Sequence, residues 1–102
     1  MTLFLGTWKL LDGPRVHAMT TFGVIDHQED VKNEEGLELL GRWSDLGSCS
    51  GSFICRATNN YIVSKWLYKW NPMATYTIKP VVDDNTARKI ILKKQPEYTV
   101  DY

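Results

Sequence analysis

Apolar residues along this chain fall into short runs whose period switches between two and nearly four, which predicts strands alternating with helices. Residues 2–10 favour β structure with few polar interruptions, as a central strand covered on both faces would. Asp12-Gly13-Pro14 ends that strand, and Pro14 suits the first turn of a helix. In that helix Val16, Met19, Thr20 and Gly23 fall on one side, with Phe22 at its flank. Thr20, Thr21 and Gly23 weaken it. Residues 25–35 carry five acidic side chains and little apolar content, so they read as a loop or a frayed helix end.

Residues 37–43 predict a second strand, with Leu37, Leu39, Gly41 and Trp43 on one face and Glu38, Leu40, Arg42 and Ser44 on the other. Gly41 marks a bulge or a close approach by another element. After a glycine- and serine-rich turn, residues 52–57 form a third strand. Phe53, Cys55 and Ala57 line one side of it; Ser52, Ile54 and Arg56 line the other. Thr58-Asn59-Asn60 offers caps to a helix over 61–70, where Ile62, Val63, Trp66, Leu67 and Trp70 make a broad apolar stripe. Asn71-Pro72 closes it, since the residue before proline avoids helical angles. Residues 74–82 read as a fourth strand, and Pro80 assigns it to a sheet edge. Asp83-Asp84 can cap a last helix with a narrow apolar face at Ala87, Ile90 and Ile91.

The order βαββαβ, with right-handed crossovers, gives an α+β, ferredoxin-like sandwich with an extra C-terminal helix. Two helices cover one face of its sheet. The strands carry apolar residues of both parities, so the second face also wants cover, and another copy of the same chain is the economical source. Residues 1–95 are expected to form the domain and 96–102 a tail.

The chain has 102 residues, enough for a single core. Twelve basic and twelve acidic residues cancel, so no net field draws it to phosphates. The run Gly51-Ser52-Phe53-Ile54-Cys55-Arg56 also lacks the basic-glycine-aromatic pattern of an RNA-binding sheet. Nucleic acid is therefore not expected as a partner. The opening residues lack a basic leader, Lys9 arrives too early for a signal sequence, and no run is long enough for a membrane span. A cytoplasmic protein with no membrane partner is expected. Cys49 and Cys55 fit neither a redox nor a zinc spacing. They read as free thiols, Cys55 buried in its strand and Cys49 accessible in the turn.

Three segments together resemble a known family: Leu39-Leu40-Gly41-Arg42-Trp43-Ser44-Asp45, Trp66 with Trp70-Asn71, and Thr77-Ile78-Lys79-Pro80-Val81-Val82-Asp83-Asp84. The family is an uncharacterised bacterial one of domains of unknown function, of the DUF3303 type, related to the dimeric α/β-barrel superfamily. The resemblance covers most of the chain. It implies a dimeric α/β-barrel assembly, a homodimer of ferredoxin-like subunits whose sheets face each other. On activity the family is silent, while the wider superfamily spans cofactor-independent oxygenases, muconolactone-type isomerases, haem-degrading enzymes and stress-response barrels. The chain departs from the family in its acidic stretch 26–35 and in its tail.

Few residues offer chemistry. His17 lies on the first helix, where several enzymes of that superfamily place a polar residue in a pocket, but its neighbours Gly13 and Thr21 form no constellation with it. His17 and His27, even joined by Asp26 or Glu29, are not preorganised to hold a metal, and neither a metal nor a cofactor is assigned. Trp8, Trp43, Trp66 and Trp70 either anchor helices on the sheet or line a ligand cavity. Of these Trp43, beside Arg42, is the strongest cavity candidate. Arg42 and Arg56, on neighbouring strands, can share a face, pairing with Glu38 or Asp45 or clamping a carboxylate. Tyr76 can present its hydroxyl to a ligand or to water. The expected function is a homodimer that binds a small apolar or aromatic ligand between sheet and helices, through Trp43, Arg42, Trp66, His17 and Tyr76. The alternative is a cofactor-independent oxygenase or isomerase acting on a hydrophobic aromatic substrate, with His17 as base and Arg42 as electrostatic clamp.

Overall fold

The structure, a computed structural model, describes residues 1–26, 30–32, 34–70 and 72–94. Along them run β1 (Thr2–Leu10), α1 (Arg15–Val24), β2 (Leu37–Asp45), β3 (Ser50–Ala57), α2 (Asn60–Tyr68), β4 (Ala74–Val81) and α3 (Asp84–Lys94). The strands form one sheet in the order β2-β3-β1-β4, and neighbouring strands are antiparallel. That order is the ferredoxin-like α+β sandwich, with α3 as the extra helix. The expected tail 96–102 lies outside the described residues.

Register sets the inward side chains in rows across the sheet. Gly6 of β1 stands between Phe53 and Ile78, and Trp8 stands between Gly51 and Tyr76. The Gly6 row works only because Gly6 has no side chain: a Cβ there would lie 2.0 Å from the Phe53 ring. Phe53 in turn meets the edge of Trp66 at 5.3 Å between ring centroids, a favourable aromatic geometry.

β2 departs from simple alternation. Leu39 pairs with Cys55, but the next partner of β3, Ile54, faces Gly41, so Leu40 is an extra, bulged residue. A one-residue slip moves every later side chain to the other face. Leu39 therefore shares the helix-covered face with Arg42 and Ser44, while Gly41 and Trp43 turn to the uncovered face. Strict alternation sets Trp43 with Leu39 and Arg42 against it; the bulge reverses both. It also separates Arg42 from Arg56, which pairs across strands with Glu38 at 3.7 Å on the uncovered face.

α2 forms where its stripe predicts. The Asn59 side chain accepts a hydrogen bond from the Ile62 amide at 3.2 Å, capping the helix. Val63, Trp66 and Leu67 are buried against the sheet, each contributing on the order of 1.5–3 kcal/mol of transfer energy or more. α1 is looser, with no side-chain cap and only Ala18 buried. Its inward face is centred on Ala18 and not on the expected Val16, which is 77% exposed.

The buried residues form two clusters. The larger includes Phe4, Leu39, Phe53, Cys55, Val63 and Trp66; the smaller comprises Leu10, Ala18, Cys49 and Ala74; Trp8 packs against both. Burial pushes the Cys55 thiol up to about 11. Cys49, expected to be accessible, is also buried, with its Sγ 3.8 Å from the Met19 sulfur.

On the uncovered face Leu3, Leu5, Ile54 and Val81 are half-buried neighbours, since Leu3 pairs with Val81 and Leu5 with Ile54. Trp43 stands 61% exposed on the same face. The face turns polar toward Thr7 and Thr77, whose hydroxyls are 2.6 Å apart. β1 is thus central, as expected, but covered fully on one side only. α3 begins where Asp83 accepts a hydrogen bond from the Thr86 amide at 2.8 Å, which holds the Asp83 carboxyl below its usual range. Its Ile90 and Ile91 are exposed. Among the described residues no helix is long and apolar enough to cross a membrane.

The Gly6 row gives a direct stability test. Gly6→Ala forces a methyl group into the ring of a fully packed Phe53, and overpacking of this kind costs about 1–3 kcal/mol. Urea unfolding is expected to show a lower midpoint with an unchanged slope; an unchanged midpoint would mean that the Phe53 ring has room to move.

Candidate functional site

Large side chains fill the space beneath α2, but the space beneath α1 is only partly filled. Ala18 and Gly23 give α1 a shallow inner surface, and at Gly51 a Cβ would meet the Trp8 indole at 2.6 Å, so the indole lies directly on the strand. What remains is a cavity of about 250 Å³. Trp8, Phe53 and Tyr76 belong to its floor; Met19, Phe22 and Trp70 belong to its walls. Phe22 and Trp70 stand with ring centroids 6.2 Å apart.

Arg42 closes one side of the cavity, and its position follows from the bulge. Its Nη1 donates to Asp30 Oδ2 at 2.5 Å, and its guanidinium carbon lies 4.6 Å from the centre of the Phe22 ring and 6.0 Å from that of Trp66. Stacking on aromatic faces suits a delocalised guanidinium. The Asp30 side chain is only 1% exposed. Its carboxylate is 3.9 Å from Lys69 Nζ, which donates to the Asp30 carbonyl oxygen. The Trp66 indole donates to that same carbonyl oxygen at 3.1 Å and to Oδ1 at 3.4 Å. A buried carboxylate is tolerable only when paired and hydrogen-bonded in this way. The result is a fixed corner joining β2, α2, α1 and the segment around Asp30.

The structure brings Arg42, Trp66 and Tyr76 together around the cavity. It does not bring His17 or Trp43 to it. His17 is exposed on α1, where its carbonyl oxygen accepts from the Thr21 hydroxyl, and Trp43 projects from the opposite face of the sheet. Arg42 is paired with Asp30, a carboxylate that Lys69 also approaches, so two cations share one carboxylate at this corner. Among the described residues no three His, Cys, Asp or Glu side chains converge; His27 and Glu29 lie outside those residues.

Sequence reasoning missed Asp30. It is one of five acidic residues in 25–35, and its only signal is its neighbour Val31, the one apolar side chain in 26–35, which packs against the larger core cluster. Ser44 and Cys49 also reach the cavity; alternation sets Ser44 on the Arg42 face but does not mark that face as the inner one.

The chain belongs to the domain of unknown function family DUF3303, whose model matches residues 2–95. No curated protein matches it. Among solved structures it is similar to the protein Atu4242 of Agrobacterium tumefaciens, described as a NIPSNAP family protein of unknown function. Two structures of it match, each with 14% identity and a TM-score of 0.45, covering 82% of this chain and 96% and 90% of the other. It is also similar to an arginine-to-serine mutant of MhuD with two manganese protoporphyrin IX molecules bound per active site. Here the identity is 16% and the TM-score 0.41, with 82% of this chain and 97% of the other covered.

The corner around Asp30 can be tested by leaving Arg42 unpartnered. Asp30→Ala is expected to cost about 3 kcal/mol, the scale for breaking one side of a buried ion pair. The double variant Asp30→Ala with Arg42→Met should recover part of the loss. Equal and additive losses in a denaturant double-mutant cycle would show that the two side chains do not interact.

Proposed function

We propose that this chain is a homodimeric binding domain that takes a small apolar or aromatic molecule between α1 and the sheet. The observation that carries the reading is the cavity of about 250 Å³, walled by tryptophan and phenylalanine rings and braced by the Arg42–Asp30 ion pair. Concave, mostly apolar sites with a few placed polar groups are the usual form of small-molecule sites. Filling such a space with protein side chains would stabilise a fold by roughly 24 cal/mol per Å³, so a cavity left open favours an occupant from outside. Arg42, Trp66 and Tyr76 are the contacts expected from the sequence that this site retains. The oxygenase or isomerase alternative draws no support from the geometry, because its base, His17, is exposed on α1 and is not among the residues that line the cavity.

A second copy of the chain is the partner best suited to the uncovered sheet face. Leu3, Leu5, Ile54 and Val81 form a contiguous apolar centre, and Arg56, Glu38 and Lys79 stand around it as a polar rim. An apolar core within a polar rim is the ordinary anatomy of an interface. The two surfaces lie on opposite faces of the sheet, so assembly and binding are separable.

Titration with small aromatic ligands is expected to change the tryptophan fluorescence of the wild type. Ala18→Leu, which fills the cavity, should weaken binding by about tenfold or more, in line with the cost of overpacking, and Trp43→Ala should leave it unchanged. If Ala18→Leu binds as well as the wild type, the site is elsewhere. In sedimentation velocity the wild type is expected to run as a dimer and Ile54→Lys as a folded monomer. A monomeric wild type at micromolar concentration would remove the dimer from the account.

A further inference from the structure

A residue that lines a cavity and is also exposed stands at the cavity's mouth. Five lining residues do both: Met19, Phe22 and Gly23 on α1, Ser44 near the end of β2, and Leu46 just beyond it. β2 is an edge strand, so no further strand of the sheet covers this side. The cavity therefore opens between α1 and the end of β2.

Three of these five carry apolar side chains, and Leu46 is 70% exposed although it lines the cavity. The turn that carries it is ordered. The Asp45 carboxylate accepts from the Gly47 amide at 3.1 Å, and the Cys49 carbonyl oxygen at the end of the turn accepts from the Leu10 amide at 2.9 Å, which ties the turn to β1. A leucine held in water forgoes its transfer energy until something covers it. Exposed apolar surface that continues a binding groove belongs to the groove.

Size narrows what can lie there. A cavity of about 150 Å³ is filled by benzene, so the cavity of about 250 Å³ takes one ring with a short substituent. Anything longer must pass out through the mouth. Three apolar side chains are too few for a protein partner, whose stable interface takes roughly 800 Å² a side. They suit a single alkyl chain.

We infer that the site takes an alkyl-substituted aromatic molecule, with its ring in the cavity and its chain running out between Met19 and Phe22 on one side and Leu46 on the other. This rests on the cavity being a binding site and adds the chemical class of its ligand. The aromatic walls hold the ring, while Leu46 sets the gain with chain length.

The test is a calorimetric titration with 4-alkylphenols from 4-ethylphenol to 4-hexylphenol. On the wild type each added methylene is expected to tighten binding about two- to fourfold, the scale of a methylene partly to fully removed from water, with no plateau. Leu46→Ser, a change on an exposed turn that leaves the core intact, should bind 4-hexylphenol about three- to fivefold more weakly, the scale of one lost methylene contact or slightly more. It should bind 4-ethylphenol as the wild type does. In ¹³C-labelled protein the Leu46 methyl resonances should move with 4-hexylphenol and stay in place with 4-ethylphenol. A plateau beyond 4-propylphenol overturns the inference while leaving the cavity as a binding site for short ligands. An undiminished gain with chain length in Leu46→Ser, or unmoved Leu46 methyl resonances, shows that the chain does not leave by this mouth and overturns it as well. If no member of the series binds, the inference fails together with the reading on which it rests.

Discussion

The extra residue at Leu40 decides which face of β2 is which. Without it Arg42 would point away from the helices, Asp30 would have no guanidinium partner, and Trp43 would press into the core beside Leu39. With it, one charged side chain crosses to the inner face, and a buried carboxylate stands there to receive it. Such pairs rarely add much net stability over an apolar substitute. Their geometry is demanding, however, and here that geometry fixes where the segment around Asp30, the Trp66 indole and the Phe22 ring must sit.

The unequal filling of the helix-covered face follows from the two helices. α2 is capped, carries Val63, Trp66 and Leu67 on one stripe, and packs fully. α1 lacks a side-chain cap and offers the sheet little more than Ala18, so it spans the sheet without filling the space below it. Trp8 touches both clusters and separates the packed half from the open half. A rigid half supporting a loosely covered half suits a binding site, since its floor and braced corner stay fixed while the thinner cover adjusts.

Much of the architecture was legible in the chain. The period of each strand, the stripe of α2, the cap at Asn59, the edge position of Pro80 and the cap at Asp83 each follow from local chemistry, and together they leave essentially one topology. The strand faces around Arg42 and Trp43 were not legible. Gly41 signalled a bulge, but the inserted residue is Leu40, and only the pairing with β3 shows where the slip falls. The inner face of α1 was misplaced because Ala18 is too small to stand out among Val16, Met19 and Phe22 in a weak pattern. Asp30 was hidden among acidic neighbours, since its role depends on Arg42, Trp66 and Lys69, which come from β2 and from α2 and its C-terminal end. Trp66, which the apolar stripe set on the inner side of α2, sits on a regular helix; Trp43, whose face alternation misassigned, lies beyond the irregularity.

The chain carries its own reporters for the central claim that a small molecule enters beneath α1. Met19 lines the cavity, whereas Met1 lies 67% exposed just ahead of β1. Titrating ¹³C-methyl-methionine protein with a small neutral aromatic compound should shift the Met19 methyl resonance in a saturable way and leave that of Met1 in place. Shifts confined to Met1, or none at Met19 at saturating compound, would contradict the account.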